Sequence, residues 1–178
     1  MAKDRRYKSQ FETSTSNGLL DVNRRTNAEN HLFNIPANLD KVQRPAYGTI
    51  NFGNYVAAGD QYGEFEIILK NDVLKRTTVT FDDSLNIDRW GRKASPFYDT
   101  SIGSGFGEET KHTIDLIERT KSGTASDMSY IEAQTHNGFT VDDIDSIAID
   151  NAGLIPMLNR LFSNTAIKFI IRKGTLDV

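Results

Sequence analysis

The chain has 178 residues, with Lys+Arg 21 against Asp+Glu 24, a formal net charge of −3 and no cysteine. A chain of this length makes one ordinary domain and buries roughly 70% of its unfolded surface, so it folds without covalent staples. The missing cysteines exclude a disulfide framework, a thiolate nucleophile and any Cys-containing metal site, and the charge argues against indiscriminate nucleic-acid binding.

The opening MAKDRRYKSQ has no apolar signal core, and no apolar run nears the ~20 residues of a membrane span. The expectation is a soluble, cytoplasmic protein that contacts no membrane. Lys3, Arg5, Arg6 and Lys8 form a basic cluster against Asp4. FETSTSNG, Phe11 to Gly18, reads as a loop. Asp21 is placed to cap a helix that turns Ala28 and Leu32, with Val22 and Phe33 beside them, towards a core. Pro36 and Pro45 bracket a connection, after which AYGTINF predicts a strand. YGEFEIILK alternates and puts Phe65, Ile67 and Leu69 on one face. A turn or helical corner at DVLKR then leads to a second strand, Thr77 to Phe81.

The stretch from Asp82 to Gly107 is rich in Asp, Ser, Gly and Pro and reads as a functional loop. Thr113 to Arg119 suits one or two helical turns. SYIEAQ (Ser129 to Gln134) and DSIAID (Asp145 to Asp150) read as strands. AGLIPMLNRLFSN is amphipathic, with Pro156 acceptable in a first helical turn. AIKFIIRK closes the chain as a buried-type strand. The sum is an α+β fold over 1–178, a single domain on which a loop and helix segment, 1–40, packs. It is not the regular βαβ alternation of a parallel sheet.

Familiar chemical motifs are weak. GSGFG, Gly103 to Gly107, lacks the strand before it and the acidic residue after it that a dinucleotide fingerprint requires. The pairs Asp82–Asp83 and Asp142–Asp143 lack calcium-loop spacing and suit solvated turns or helix caps better. His31, His112 and His136 are scattered, and no GxSxG elbow is present. Three segments carry more. In QRPAYG, Arg44 is held extended by the proline after it, and a fixed guanidinium suits phosphate capture as well as an ordinary surface salt bridge. In KRTTVTFDDS, Thr78, Thr80 and Ser84 offer hydroxyls along and beyond a strand. In SYIEAQTHNG, Glu132 sits among apolar neighbours, facing either a cleft or water from an edge strand.

An arginine at a first strand, hydroxyls on a second and a glutamate on a later one resemble the R-S-E, cholera-toxin-like class of mono-ADP-ribosyltransferases. The resemblance is to small bacterial and phage-associated members. It runs in order from SQFETSTSNG through RR with Glu29 in the following helix, RPAYG, YGEFEIILKNDVLKRTTVTFDDS and YIEAQ-HNG to VDDIDSIAI, covering residues 9–150. The sequence departs from the class in lacking a literal Ser-Thr-Ser on the second strand, TSTS standing earlier at Thr13 to Ser16. It also carries Tyr130 two positions before Glu132, where arginine-modifying members have Glu.

The resemblance implies split mixed β-sheets around a central NAD cleft, NAD as co-substrate and no metal. It implies catalytic roles for Glu132, Arg44 and Ser84, and NAD contacts from Arg44, Tyr47, Gly48, Tyr62, Thr78, Thr80 and Gln134. With Arg44 gripping the NAD phosphates or bracing the cleft, Arg44→Lys would weaken NAD affinity at roughly unchanged thermal stability. The implied partners are NAD, a macromolecular acceptor and an inhibitor or antitoxin protein, as for a toxin-like or defence effector. Tyr130 points away from an arginine acceptor. The acceptor is then a nucleobase or a hydroxyl, on nucleic acid or on a non-arginine protein residue; the basic N-terminal cluster, with Arg89, Arg92 and Lys93, supports RNA or DNA unless these are ordinary solubilising charges. An NAD glycohydrolase with the same site, or an inactive ribosyltransferase-like binding or phage accessory module, are the rival readings.

Overall fold

The computed structural model describes residues 4–16, 20–50, 65–81, 83–85, 95–96 and 131–172. Tyr62, Arg89, Arg92, Lys93, the glycine run 103–107, the helical turns expected at 113–119, His112, Tyr130 and Lys3 lie outside them. The first element corrects the loop reading. Gln10–Thr13 is a short helix, α1. Ser9 caps it: its hydroxyl accepts from the Glu12 amide, while the Glu12 carboxylate accepts from the Ser9 amide, a reciprocal capping box. Ser14 then ends the helix in the left-handed region.

Helix α2, Val22–Phe33, begins where Asp21 accepts from the Arg24 amide. Its buried face is Arg25, Ala28, Glu29 and Leu32, the i, i+3, i+4, i+7 stripe of an amphipathic helix with two charged members. Val22 shares that stripe, but as the first residue of the helix it is exposed, against expectation. A 3₁₀ turn over Lys41–Gln43 leads into Arg44, whose backbone is extended (φ −64, ψ 149) as its following proline requires.

Two sheets follow. Strands β1 (Ala46–Thr49), β3 (Thr77–Phe81), β4 (Ser95–Pro96) and β5 (Ile131–Thr135) form an antiparallel sheet in the order β1-β5-β3-β4. The expected corner before β3 is a 3₁₀ turn over Asn71–Arg76. Strands β2 (Phe65–Leu69), β6 (Ile144–Ile149) and β7 (Lys168–Ile171) form the second sheet, with β6 central. There β2 is antiparallel and β7 parallel to β6, so the architecture is α+β with one mixed and one antiparallel sheet. The parallel pair is joined by helix α3, Ile155–Leu161, with Pro156 in its first turn. Strands β6 and β7 with α3 thus make a βαβ unit.

The apolar core gathers on the second sheet. Ile144, Ile147, Ile149, Leu158, Phe139 and Ala46 are buried together, with Ile67, Leu69 and Phe169 packed against them. Strand β7 corrects the buried-type reading: among the described residues its partner is on one side only, and Ile170 and Ile171 are exposed. An apolar run can edge a sheet as well as cross its middle, and composition does not distinguish the two. Between β5 and β6 the chain turns at Asn137 and Gly138, both at positive φ (60° and 62°), which Asn and Gly adopt most readily. Next to this turn the N-terminus is strapped on. The Tyr7 amide donates to the Phe139 carbonyl at 2.9 Å, and the two rings stack 4.8 Å apart.

Candidate functional site

Side chains of a strand alternate between faces, and directly paired residues share one. The register pairs Glu132 with Thr80 on one side and Thr49 on the other, and Gln134 with Thr78 and Tyr47. Glu132, Gln134, Thr78, Thr80 and Tyr47 therefore occupy one face of the four-stranded sheet. Because β5 lies between β1 and β3, Glu132 is not on an edge strand, and it is only 6% exposed.

Gln134 organises this face and is fully buried. Its amide nitrogen donates to Thr80 Oγ1 at 2.8 Å and to Glu132 Oε1 at 3.0 Å, while its oxygen accepts from Thr78 Oγ1 at 3.0 Å. A reversed amide would set oxygen against carboxylate, so the neighbours dictate the orientation. Thr78 also bonds His136 Nε2 at 2.9 Å. The half-buried His136 ring meets Phe33 edge-on, and burial holds its pKa below the usual imidazole value.

Helix α2 lays its charged pair over this face. Arg25 Nη1 donates to Ser84 Oγ at 2.8 Å, and its guanidinium lies 4.2 Å above the Tyr47 ring. The Tyr47 hydroxyl donates to Glu29 Oε1 at 2.9 Å; burial pushes its pKa well up, so it keeps that proton. Glu29 Oε2 accepts from Arg44 Nη1 at 2.5 Å. The other Arg44 Nη donates to the Ala37 carbonyl at 2.7 Å, and the Phe11 ring lies under the guanidinium at 4.2 Å.

Burial raises the Glu132 pKa; hydrogen bonds from Ser84 and Gln134 and the Arg25 charge work against it, and Asp83 adds to the rise. The result is a carboxylate kept out of water but supplied with donors. Such a group can stabilise positive charge that develops beside it at little cost in reorganisation. Among the described residues no three His, Asp or Glu side chains gather to hold a metal ion.

The expected site residues Tyr47, Thr78, Thr80, Ser84, Glu132 and Gln134 thus meet in one network. Arg44 reaches it only through Glu29 and Tyr47. Its ion pair is buried, not on the surface, so the expectation of roughly unchanged thermal stability in Arg44→Lys gives way: lysine keeps the charge but cannot span Glu29 and the Ala37 carbonyl as the guanidinium fork does. Gly48 pairs with Ala133 and so faces away from Glu132; open space surrounds the place its Cβ would take. The basic cluster is also changed in meaning, because Arg5 pairs with Asp142, Arg6 with Glu12 and Lys8 with Asp4. Asp143 accepts from the Thr140 amide and pairs with Arg76, a cap and not a cation ligand.

Sequence reasoning missed Arg25 and His136. The available signal for Arg25 was the spacing of Arg25 and Glu29 with Ala28 and Leu32, which puts two charges on the buried helix face. Residues 1–97, more than half of the chain, match the model of a family described as "Protein of unknown function (DUF3626)". The chain belongs to that family. No curated protein matches it. The DUF3626 segment runs from α1 through β4, so it contains Arg25, Glu29, Arg44, Tyr47, Thr78, Thr80 and Ser84. Glu132 and Gln134 lie beyond it and complete the network from β5.

Proposed function

We propose that this protein is an NAD-dependent mono-ADP-ribosyltransferase, an effector of the toxin or defence kind, built on an ADP-ribosyltransferase-like pair of sheets, with Glu132 as its catalytic residue. The observation that carries the reading is the Glu132 carboxylate, buried on a central strand yet hydrogen-bonded by Gln134. Burying a carboxylate where an apolar side chain would pack costs stability, and function is the usual reason such a cost is kept.

In the reaction the ribose–nicotinamide C–N bond breaks and its electron pair leaves on nicotinamide. The ribose carbon passes through an oxocarbenium-like state, bonds the acceptor's nucleophile, and the acceptor's proton leaves to solvent. Glu132, beside the ribose 2′-hydroxyl, opposes the positive charge of that state. Gln134 holds one of its oxygens, and Thr80 fixes Gln134. Arg44 acts as a brace through Glu29, its Nη atoms being engaged within the protein. The acceptor is a macromolecule, and the pairing of Arg5, Arg6 and Lys8 with carboxylates leaves that cluster no special claim on nucleic acid.

The test is labelled NAD with a whole-cell extract, divided by protease and nuclease treatment. Transfer of label to protein, RNA or DNA is expected, with Glu132→Gln lowering it by ~10²–10³-fold at an undiminished thermal midpoint. Release of free ADP-ribose alone would make the protein a glycohydrolase. Wild-type turnover by Glu132→Gln, or no turnover by the wild type, would overturn the assignment.

A further inference from the structure

His136, Thr78, Gln134 and Glu132 are joined in series by hydrogen bonds, and the hydrogens each group owns fix the direction of every link. A hydroxyl has one proton to give, an amide donates from nitrogen and accepts at oxygen, and an ionised carboxylate only accepts. Gln134 Nε2 donates to Glu132 Oε1 at 3.0 Å and to Thr80 Oγ1 at 2.8 Å. Its Oε1 has no hydrogen, so the Thr78 hydroxyl gives its proton there, at 3.0 Å. Thr78 Oγ1 then has only lone pairs for His136 Nε2, 2.9 Å away, and the imidazole is the donor. Every link of the series points towards the carboxylate.

The opposite arrangement does not close while Glu132 is ionised. With a lone pair at Nε2, Thr78 would turn its proton to the imidazole and leave its oxygen 3.0 Å from the Gln134 oxygen with no hydrogen between them. Turning the Gln134 amide over would then set its oxygen against the carboxylate. Water offers no relief, because Gln134 is fully buried. His136 itself is pinned at the half-buried rim, directly after β5 and before the Asn137–Gly138 turn. Its amide donates to the Arg76 carbonyl at 3.0 Å, and Phe33, the last residue of α2, meets its ring edge-on at 5.5 Å.

We infer that His136 is a positioning residue of this site: by donating from Nε2 it commits the Thr78 proton to Gln134, which keeps the Gln134 N–H turned towards Glu132. The inference rests on the Glu132 site of the reading above, but its test does not require that reaction. Protonation of the ring adds a hydrogen at Nδ1 and leaves the Nε2 bond as it is. Thr78 and Phe33 meet the ring, and burial is what lowers its pKa. Around Glu132, Arg25 and Asp83 act by charge, and Tyr47, Thr49 and Thr80 share its face.

Gln and Glu at position 136 have the reach of the imidazole Nε2, but Gln can donate there and ionised Glu can only accept. The experiment follows the Glu132 carboxyl by carbon-13 NMR titration in the full-length chain. It compares wild type, His136→Gln, His136→Glu, Thr78→Val and the His136→Glu/Thr78→Val pair. His136→Gln should keep the wild-type midpoint. His136→Glu should raise it by ~1 pH unit, because the acceptor draws the Thr78 proton away from Gln134. In the Thr78→Val background the same change should raise it much less, since only direct repulsion between the carboxylates remains. Equal shifts in the two backgrounds, an unmoved midpoint in His136→Glu, or a His136→Gln shift as large as that of His136→Glu would overturn the proposal. If His136→Glu does not fold, nitrogen-15 NMR of the His136 ring decides. A slowly exchanging Nε2 proton that becomes fast in Thr78→Val supports the inference; an Nδ1–H tautomer, or an Nε2 proton indifferent to Thr78→Val, refutes it. Midpoints that follow His136 with no NAD turnover would keep the positioning role and remove the ribosyltransferase reading. NAD turnover with midpoints indifferent to His136 would do the reverse.

Discussion

The two sheets of this molecule are held by opposite means. The three-stranded sheet packs an apolar face, in which Ile147, Ile149, Leu158 and Phe169 meet. The four-stranded sheet presents Glu132, Gln134, Thr78 and Thr80 to a helix that answers with Arg25 and Glu29. Apolar burial is non-directional and forgiving, worth roughly 25 cal/mol per Å². A buried polar layer gains little net energy and fails when one partner is missing. The three-stranded sheet therefore looks like scaffold and the four-stranded one like a site, and the comparison can be tested by removing parts of each.

The largest effect is expected at the polar layer. Arg44→Ala strands Glu29 in the interior and should cost ~3–5 kcal/mol in urea unfolding. An Arg44→Met/Glu29→Leu double variant should recover most of that loss, because the cost lies in the uncompensated charge. If the double variant is as unstable as the single one, the layer is held by shape and not by charge. Ile149→Ala, in the apolar core, comes next, at about 3 kcal/mol from lost transfer energy and an unfilled cavity. It should leave the turnover of each folded molecule intact, measured against the folded fraction. A loss of specific activity there would mean that the two sheets are functionally coupled.

The smallest effect is in pH. The Arg6 guanidinium, hydrogen-bonded to Glu12, holds that carboxyl down at about 2. A depressed acid stabilises the fold fully above its unfolded pKa and loses that contribution as pH falls through the folded one. Glu12→Gln should flatten the stability profile between about pH 4.5 and 2, read from urea midpoints. The Glu132 carboxyl is raised by burial, so its sign is opposite: ionisation costs stability as pH rises through its folded pKa. An unchanged acid limb in Glu12→Gln would show that ionised Glu12, paired with Arg6, contributes nothing to stability.

Much of the scaffold was legible beforehand. Local rules of capping, alternation and proline geometry place the start of α2, the corner and strand from Asn71 to Phe81, β6, and Pro156 in the first turn of α3. Those rules depend on a few neighbouring residues and are written into the chain. The Thr78, Thr80 and Glu132 segments also stood out, because hydroxyls and a carboxylate interrupt strand-forming runs.

What the chain by itself determined, then, is helix or strand for most of the described segments, α1 excepted, and which residues have chemistry to offer. Tertiary structure decided the rest. Only strand order makes β5 central and takes Glu132 from water, and makes β7 an edge that leaves Ile170 and Ile171 exposed. Only the docking of α2 turns Arg25 and Glu29 from ordinary helix charges into a buried pair over Tyr47. The physical reason is that burial, and with it the strength of a charge, depends on contacts between residues far apart in sequence, such as Arg25 with Ser84 and Thr78 with Gln134.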